Sequence, residues 1–442
     1  MLLRFGVQNH LSIRDYQELS LVASTAYDDL DHTIDVLEIK QKEKKFLPVI
    51  ALYGANAAGK SNILDAMRFF DFAVAFSYSK WADRPLLPHK CFSLDSDSKE
   101  CESKYDCDVL INGIRYHYGF ALTSRSITKE WLYSYPKGTR TILFQRDFSD
   151  VGDPFYPGPS LKGITSTWKA IAGNSKVLML SAARKKENFH EQLTPVCKFF
   201  FERFESVRII ETDQPEHHLA ENIREQKLEA KLGEALKVAD LGIVGVEVRS
   251  QPVSEDQKKF ILGVTDLLKK SAELVGAVTP PGNELEVKLS EERLSLKFVH
   301  VGSDGQTFKV DYSDESLGTR YFLNLLVPVF SALEEGKTLI VDEITTNLHT
   351  KLSEKIISLF TSRHSNKRKA QFIFSTHDTN LLSREILRRD EIWFAEKDRD
   401  GATTIYPLSD FKIRKTDNVE KGYLQGRFGA IPFMGDISAL LN

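Results

Sequence analysis

The sequence has few cysteines, no long apolar run and almost no net charge, and each absence argues against a class of protein. Its 442 residues include only Cys91, Cys101, Cys107 and Cys197, and their spacings fit neither a zinc site nor a disulfide framework. No stretch approaches the ~20 apolar residues of a membrane span, and the first residues lack the apolar segment of a signal peptide. A net charge of -3 argues against a molecule that is basic all over, although a local basic patch stays open. We therefore expect a soluble, cytoplasmic protein with reduced thiols.

Apolar patterning predicts an α/β fold. Alternation over residues 1–24 indicates strands, and alternation over 105–148 indicates a β-meander. Short apolar runs at 49–53, 338–341 and 371–375 are typical of adjacent parallel strands covered by helices on both faces. Helical spacing follows the first of these runs, from Ser61 to Phe76, and residues 187–240 are charged and helical. Strand patterns return at 245–248 and 284–301.

A glycine-rich segment gives the strongest chemical signal. Residues 54–61 fit the pattern G-x-x-x-x-G-K-[ST], between a predicted buried strand and a predicted helix. Glycines let the backbone approach a phosphate, and the helix N-terminus favours an anion. We expect Lys60 to contact the β- and γ-phosphates of ATP and the Ser61 hydroxyl to ligate Mg²⁺. The full set of predicted nucleotide-binding residues here is Gly54, Ala55, Asn56, Ala57, Ala58, Gly59, Lys60, Ser61 and Asn62.

Two later strands end in groups suited to phosphate chemistry. The run 338–341 is followed by Asp342 and Glu343. We expect Asp342 to hold Mg²⁺ and Glu343 to orient the attacking water. His377 follows the run 371–375, where a histidine can hydrogen-bond a phosphate or the water. Lys60, Glu343 and His377 are therefore the predicted catalytic residues.

A serine and a glycine near a helix start form a further candidate anion site. Ser316 and Gly318 precede a helical stretch through Leu323 and Leu326, and in isolation they read as an ordinary N-cap.

These four elements, in this order, resemble the ABC-type ATPases: Walker A, a signature helix, Walker B with a catalytic glutamate, and a switch histidine. The resemblance covers roughly 1–76 and 310–434. It implies a P-loop fold of ABC-ATPase type with a mixed β lobe, a parallel core sheet and a helical insertion. It divides the chain into an N-terminal half of the head (1–186), the insertion (187–280) and a C-terminal half (281–442). In that family the signature of one subunit closes over nucleotide held by another, so Ser316 and Gly318 are expected to reach ATP bound to a neighbouring subunit.

Two features depart from that family. The signature Glu315-Ser-Leu-Gly-Thr319 has one glycine fewer than the usual LSGGQ. No residue can be assigned to the Q-loop, for which Gln145 is a weak candidate.

The chain looks most similar to bacterial ABC-like (SMC/RecF-like) AAA ATPases of anti-phage defence, such as those of the PARIS and Septu systems (AriA and PtuA). Residues 5–10, 316–319, 390–394 and 423–432 carry this similarity. It implies an oligomeric switch powered by ATP that controls a separate effector, either a nuclease or a toxin, in abortive infection.

Other functions remain open at this stage. A DNA-repair ATPase of SMC/RecF type would clamp DNA directly, a transporter motor would accompany a membrane protein, and an inactive scaffold would bind ATP without hydrolysis. The small basic clusters 184–186 and 367–369 are compatible with nucleic-acid contact, although solvated loops of this composition are commoner. The helical segment 187–240 is either a lid packed on the core or a surface for oligomerisation or for a partner.

Overall fold

The structure of the chain is a computed structural model. It describes residues 1–24, 32–37, 43–149, 152–207, 216–239, 242–253, 259, 263, 292–414 and 417–431. The chain packs into two units. Unit 1 comprises Met1–Ile210 and Pro328–Asn442, and unit 2 comprises Glu211–Val327.

Unit 1 contains most of the strands and helices. Its strands are β1 (Leu2–Gln8), β2 (Gln17–Ser20), β3 (Ile34–Leu37), β4 (Glu43–Phe46), β5 (Val49–Tyr53), β6 (Ser103–Ile111), β7 (Ile114–Leu122), β8 (Ile127–Tyr135), β9 (Thr141–Asp147), β10 (Phe155–Pro157), β11 (Phe204–Val207), β15 (Thr338–Val341), β16 (Gln371–Ser375), β17 (Ile392–Lys397) and β18 (Thr403–Pro407). Its helices are α1 (Lys60–Lys80), α2 (Asp97–Glu100), α3 (Ser166–Ala172), α4 (Met179–Ala182), α5 (Thr194–Arg203), α9 (Thr350–Thr361) and α10 (Val419–Leu424).

Unit 2 contains the helices α6 (Glu216–Glu225) and α7 (Glu229–Val238) and the strands β12 (Ile243–Pro252), β13 (Glu292–Val301) and β14 (Thr307–Asp311). Helix α8 (Leu317–Glu335) begins in unit 2 and ends in unit 1, and the division between units falls at Pro328 inside this helix.

Two large sheets build unit 1, beside a two-stranded antiparallel sheet of β3 and β4. An antiparallel seven-stranded sheet has the order β10-β9-β8-β7-β6-β1-β2, and a six-stranded sheet has the order β11-β15-β16-β5-β17-β18. In the second sheet every neighbouring pair is parallel except β17 with β18. The runs 338–341, 371–375 and 49–53 are thus adjacent parallel strands, as predicted, and each is fully buried. The meander over 105–148 is also confirmed, as strands β6 to β9.

Helix α1 lies in the core formed with both sheets. Its apolar residues pack with β1 and β6–β8 of one sheet and with β5 of the other. The Phe70 ring packs against the seven-stranded sheet and α5: its centroid is 5.8 Å from that of Phe5, 5.6 Å from that of Phe120 and 5.3 Å from that of Phe200 on α5. Buried aromatic rings of this kind dominate core energetics, so α1 is held firmly behind the loop that precedes it.

The structure corrects two local predictions. Ile13 makes only an isolated bridge with His10, because Asn9 and Leu11 adopt positive φ angles of 53° and 50° and turn the chain there. Residues 204–207, inside the segment predicted to be helical, form strand β11. They add in parallel to the edge of β15, a pairing with a distant segment that overrides local helix propensity.

Unit 2 is an α+β unit with its own core. Strands β12, β13 and β14 form an antiparallel sheet against which α6 and α7 pack. The predicted strand at 284–301 begins, among the described residues, at Glu292; residues 284–291 lie outside them. The proposed boundary between insertion and C-terminal half, at 280–281, also lies outside the described residues.

Candidate functional site

The loop from Gly54 to Gly59, called the glycine-rich loop below, leaves the carboxyl end of β5 and leads into α1. Gly54 has φ 152°, Ala57 has φ 62° and Gly59 has φ 105°. A Cβ at Gly54 would lie 2.4 Å from the Ala395 carbonyl oxygen, and one at Gly59 would lie 2.1 Å from the Thr403 hydroxyl. Only glycine satisfies both the backbone angle and the close approach at these two positions.

Lys60 is buried at the start of α1, with 5% of its surface exposed. Its ammonium donates hydrogen bonds to the carbonyls of Gly54 (2.9 Å) and Ala55 (3.0 Å) in the glycine-rich loop. Burial lowers the pKa of Lys60 to about 8, against the opposing effect of the Glu343 and Asp342 carboxylates. The side chain is therefore a cation at pH 7, held where the first N–H groups of α1 lack helical partners.

Asp342 and Glu343 follow β15 and are connected by Ser375, the last residue of the neighbouring strand β16. The Ser61 hydroxyl donates to Asp342 Oδ1 over 3.1 Å, and the Ser375 hydroxyl donates to the same oxygen over 2.5 Å. The Glu343 amide in turn donates to Ser375 Oγ over 2.7 Å. Glu343 has φ 55°, a left-handed conformation that costs about 1–3 kcal/mol in a non-glycine residue and is commonest at functional sites.

His377 lies between the lysine and the glutamate. Its Nδ1 is 3.5 Å from Lys60 Nζ, and its Nε2 is 3.7 Å from Glu343 Oε1. Burial and then the Lys60 cation lower the pKa of His377 below its usual value. The imidazole is therefore neutral at pH 7, so that one ring nitrogen donates and the other accepts a hydrogen bond.

Lys60, Glu343 and His377 share one pocket of about 420 Å³ within unit 1. Its size falls in the range of small-molecule sites, and it opens at the carboxyl ends of parallel strands, where ligands of α/β sheets bind. The residues lining it are Asn56, Ala57, Ala58, Gly59, Lys60, Ser61, Asn62, Glu343, His377 and Lys397.

Lys397 and Ser375 belong to this constellation although the sequence did not single them out. Lys397 ends β17, the strand beside β5, and adds a second cation to the pocket wall. The sequence feature that could have identified Lys397 is its position as a lysine at the carboxyl end of another core strand. Ser375 could have been found as the hydroxyl residue ending the predicted strand before His377.

A hydrogen-bonded brace supports the glycine-rich loop from the N- and C-terminal parts of the chain. The Thr403 hydroxyl donates to the Ala58 carbonyl over 3.0 Å and lies 2.7 Å from the Ser12 hydroxyl. Asn62 donates from Nδ2 to Ser12 Oγ over 2.6 Å. The Asn62 side chain is thus committed to this brace, while the residue also lines the pocket.

The predicted signature residues lie in unit 2. Ser316 is exposed and accepts a hydrogen bond from the Thr319 amide over 3.1 Å, which caps the N-terminus of α8. Gly318, in the first turn, is partly exposed, and Leu317 between them is 54% exposed. Gln145 lies on β9 and donates to the Tyr133 hydroxyl over 2.7 Å; it does not line the pocket.

The donor set of the pocket fits a Mg²⁺–nucleotide. Ser61 and Asp342 offer adjacent hard oxygen atoms, which Mg²⁺ prefers, and the ion usually keeps waters and phosphate oxygens as its other ligands. No group of three or more His, Cys, Asp or Glu residues that could hold a metal occurs in the described part of the chain. The lysine and the N–H groups at the start of α1 suit the phosphates.

No described helix is both long and apolar enough to cross a membrane.

No curated protein matches the chain. A family model described as "AAA domain, putative AbiEii toxin, Type IV TA system" matches residues 49–164 and 213–383. The matched ranges include the glycine-rich loop, Asp342, Glu343 and His377, whereas Lys397 and Thr403 lie beyond them. Proteins of this kind are ATPases that generally use ATP and Mg²⁺, with a link to abortive infection. Because the model matches more than half of the chain, the protein belongs to this AAA-domain family.

Proposed function

We propose that the protein binds and hydrolyses ATP in the pocket lined by the glycine-rich loop, Glu343 and His377. The observation that supports this most is the hydrogen bond from Ser61 to Asp342. It joins the residue that follows the P-loop lysine to the carboxylate at the end of β15, in the arrangement a Mg²⁺–phosphate group requires. A chance glycine-rich turn would not bring Ser61 and Asp342 together beside a neutral histidine and a glutamate whose backbone is in the left-handed region.

Each side chain has a distinct task in this proposal. Gly54 to Asn62 surround the phosphates, with Lys60 neutralising their charge, and Ser61 and Asp342 hold Mg²⁺. The bound Mg²⁺ supplies charge neutralisation at the phosphate oxygens. Glu343 lies with its carboxylate towards His377, and it orients a water molecule for attack. Neutral His377 can donate a hydrogen bond through one ring nitrogen and accept one through the other, to or from that water or the terminal phosphate. A protonated ring could only donate.

We also propose an ABC-type assembly in which Ser316 and Gly318 reach nucleotide on a second subunit. Ser316 and Leu317 are exposed at the start of α8, so the helix end is accessible to a neighbouring molecule. ATP that binds an assembled state more tightly than separate subunits shifts the population towards assembly. Hydrolysis of ATP, with Glu343 orienting the water, then lets the subunits separate.

The biological role we propose is an oligomeric switch in anti-phage defence that controls an effector, a nuclease or a toxin, in the manner of AriA or PtuA. The abortive-infection link of the family favours this role over a DNA-repair ATPase that clamps DNA directly.

The first test compares wild type with Glu343→Gln, by phosphate release and by solution mass with and without ATP and Mg²⁺. We expect the variant to bind ATP, to lose at least about 100-fold in hydrolysis, and to accumulate the assembled form. Glu385→Gln, at an exposed glutamate in unit 1, is the matched control and should behave as wild type. Normal hydrolysis by Glu343→Gln would refute the role of Glu343, whereas a mass insensitive to nucleotide in both proteins would refute the switch.

A further inference from the structure

A second cavity, of about 560 Å³, lies in unit 1 and takes no part in the proposed ATPase site. Three of its lining residues lie at the starts of parallel strands: Arg203 immediately precedes β11, and Gly336 and Lys369 lie two residues before the first residues of β15 and β16. The cavity is therefore at the amino ends of these strands. The ATPase pocket is at the carboxyl end of β5, on the opposite edge of the same sheet.

The cavity has a strongly basic wall. Lys198, Arg203, Arg368 and Lys369 line it together with a single carboxylate, Glu202. Glu202 already has a cationic partner, because Lys198 Nζ is 3.4 Å from its Oε1. Across the described residues, Arg203 and Arg368 have no carboxylate partner. No acidic side chain among these residues neutralises the charges of Arg203 and Arg368, so this part of the wall favours an anionic ligand.

The backbone at Gly336 lets the Arg203 side chain lie close to the backbone of Arg368. Gly336 has φ 71°, and a Cβ there would lie 2.3 Å from the Arg368 carbonyl oxygen and 3.3 Å from Arg203 Nη1. The glycine thus allows the Arg203 guanidinium and the backbone of Arg368 to approach the same point. Guanidinium groups bind phosphate through paired N–H donors.

Another part of the wall is apolar. Leu110, Ile111, Pro195 and Phe199 supply this surface. Pro195, Lys198, Phe199 and Glu202 recur at the spacing of one helical face, so α5 presents both apolar and charged groups to the cavity. The volume suits a ligand of nucleotide size, and a basic wall beside an apolar wall matches a phosphate attached to a flat base.

From this arrangement we infer that the cavity is a second site, which binds a nucleoside phosphate, either as a free nucleotide or as the phosphorylated end of a nucleic-acid strand. The phosphate lies against Arg203 and Arg368, and the base lies against Phe199 and Pro195. The site is separate from ATP hydrolysis and gives the basic segment 367–369 a specific ligand.

The test uses the full chain carrying Lys60→Met, so that the ATPase pocket does not contribute to phosphate binding. Calorimetric titration with AMP, UMP, adenosine and a short 5′-phosphorylated oligothymidine measures the affinity of the cavity. We expect saturable binding of the phosphorylated probes only, weakened at least about tenfold by Arg203→Gln combined with Arg368→Gln, since bonds to charged groups are the strong ones. Arg125→Gln, at an exposed arginine in the turn between β7 and β8, should leave the affinity unchanged.

Binding of AMP or UMP identifies a free nucleotide as the ligand, and binding of the oligonucleotide alone identifies a strand end. Arg368→Gln by itself, at an exposed residue, keeps the test valid if the double variant does not fold. The inference is overturned if no probe saturates, if adenosine binds as tightly as AMP, or if the arginine variants retain full affinity.

Discussion

Replacing Lys60 with methionine should stabilise the ligand-free protein at pH 7 while abolishing ATP binding. Lys60 is 5% exposed, and burial lowers its pKa from 10.5 to about 8. That difference corresponds to about 3 kcal/mol of interaction disfavouring the charged form. Methionine has a similar length and removes the charge, but it also removes the hydrogen bonds to Gly54 and Ala55. The figure of about 3 kcal/mol compares the ammonium with the neutral amine, whose hydrogen bonds to the two carbonyls contribute about 1 kcal/mol each. We therefore expect a net gain of about 1–2 kcal/mol.

The pH dependence separates this cause from any other. Between about pH 8 and 10.5 the unfolded chain holds the Lys60 proton and the folded chain does not. Stability of the wild type therefore rises with pH across this range relative to the variant. The advantage of Lys60→Met should be largest at pH 7 and should disappear by about pH 10.

The assay is denaturation by urea, with ATP absent, at a series of pH values from 7 to 10. Lys397→Met is the matched control, because Lys397 lines the same pocket but is exposed; we expect it to give no gain that depends on pH. A lower midpoint for Lys60→Met at pH 7, or a difference that stays constant to pH 10, would refute the reasoning that the buried ammonium is destabilising.

Three further predictions concern the groups around the pocket. Ser375→Ala should reduce phosphate release by about 10–100-fold with little change in ATP affinity, because Asp342 loses its 2.5 Å donor and the following amide loses its acceptor; an unchanged rate would show that Ser375 does not position the two carboxylates. Thr403→Val should lower the free energy of unfolding by about 1–3 kcal/mol and weaken ATP binding, whereas Thr404→Val, exposed on the same strand, should do neither; equal effects of the two would contradict the brace. The pKa of His377 is lowered, so protonation of this residue should not reduce the hydrolysis rate between pH 8 and 6.5. A fall in the wild-type rate over this range that is absent in His377→Gln would contradict this prediction.

The core sheet could be predicted because its information is local. Three short apolar runs are each long enough for one buried strand, and such continuous apolar runs are typical of parallel strands covered on both faces. That the three strands lie next to one another is expected because a connection between parallel strands usually leads back to the same sheet. The unrecognised elements depend on partners far along the chain: β11 is a strand only because β15 is available beside it.

The boundary between the two units could not be predicted from helical spacing. Helical spacing from 187 onward predicts an insertion beginning there, yet α5 packs with α1 in unit 1, and unit 2 begins at Glu211. Amphipathic spacing reports that one face of a helix is buried, but it does not report which neighbour buries it.

The sequence alone predicted the glycine-rich loop, the buried strand before it and the helix after it, because the pattern of a phosphate-binding loop sets two glycines, a lysine and a hydroxyl at fixed spacing within one short segment. It also located Asp342, Glu343 and His377 at strand ends. Only the tertiary structure brought Lys397 to the pocket and joined Ser12 to Thr403, residues 391 positions apart. Only the tertiary structure gathered Arg203 and Arg368 around a second cavity. Such contacts leave no local period in the sequence, because they arise when separate elements pack against one another.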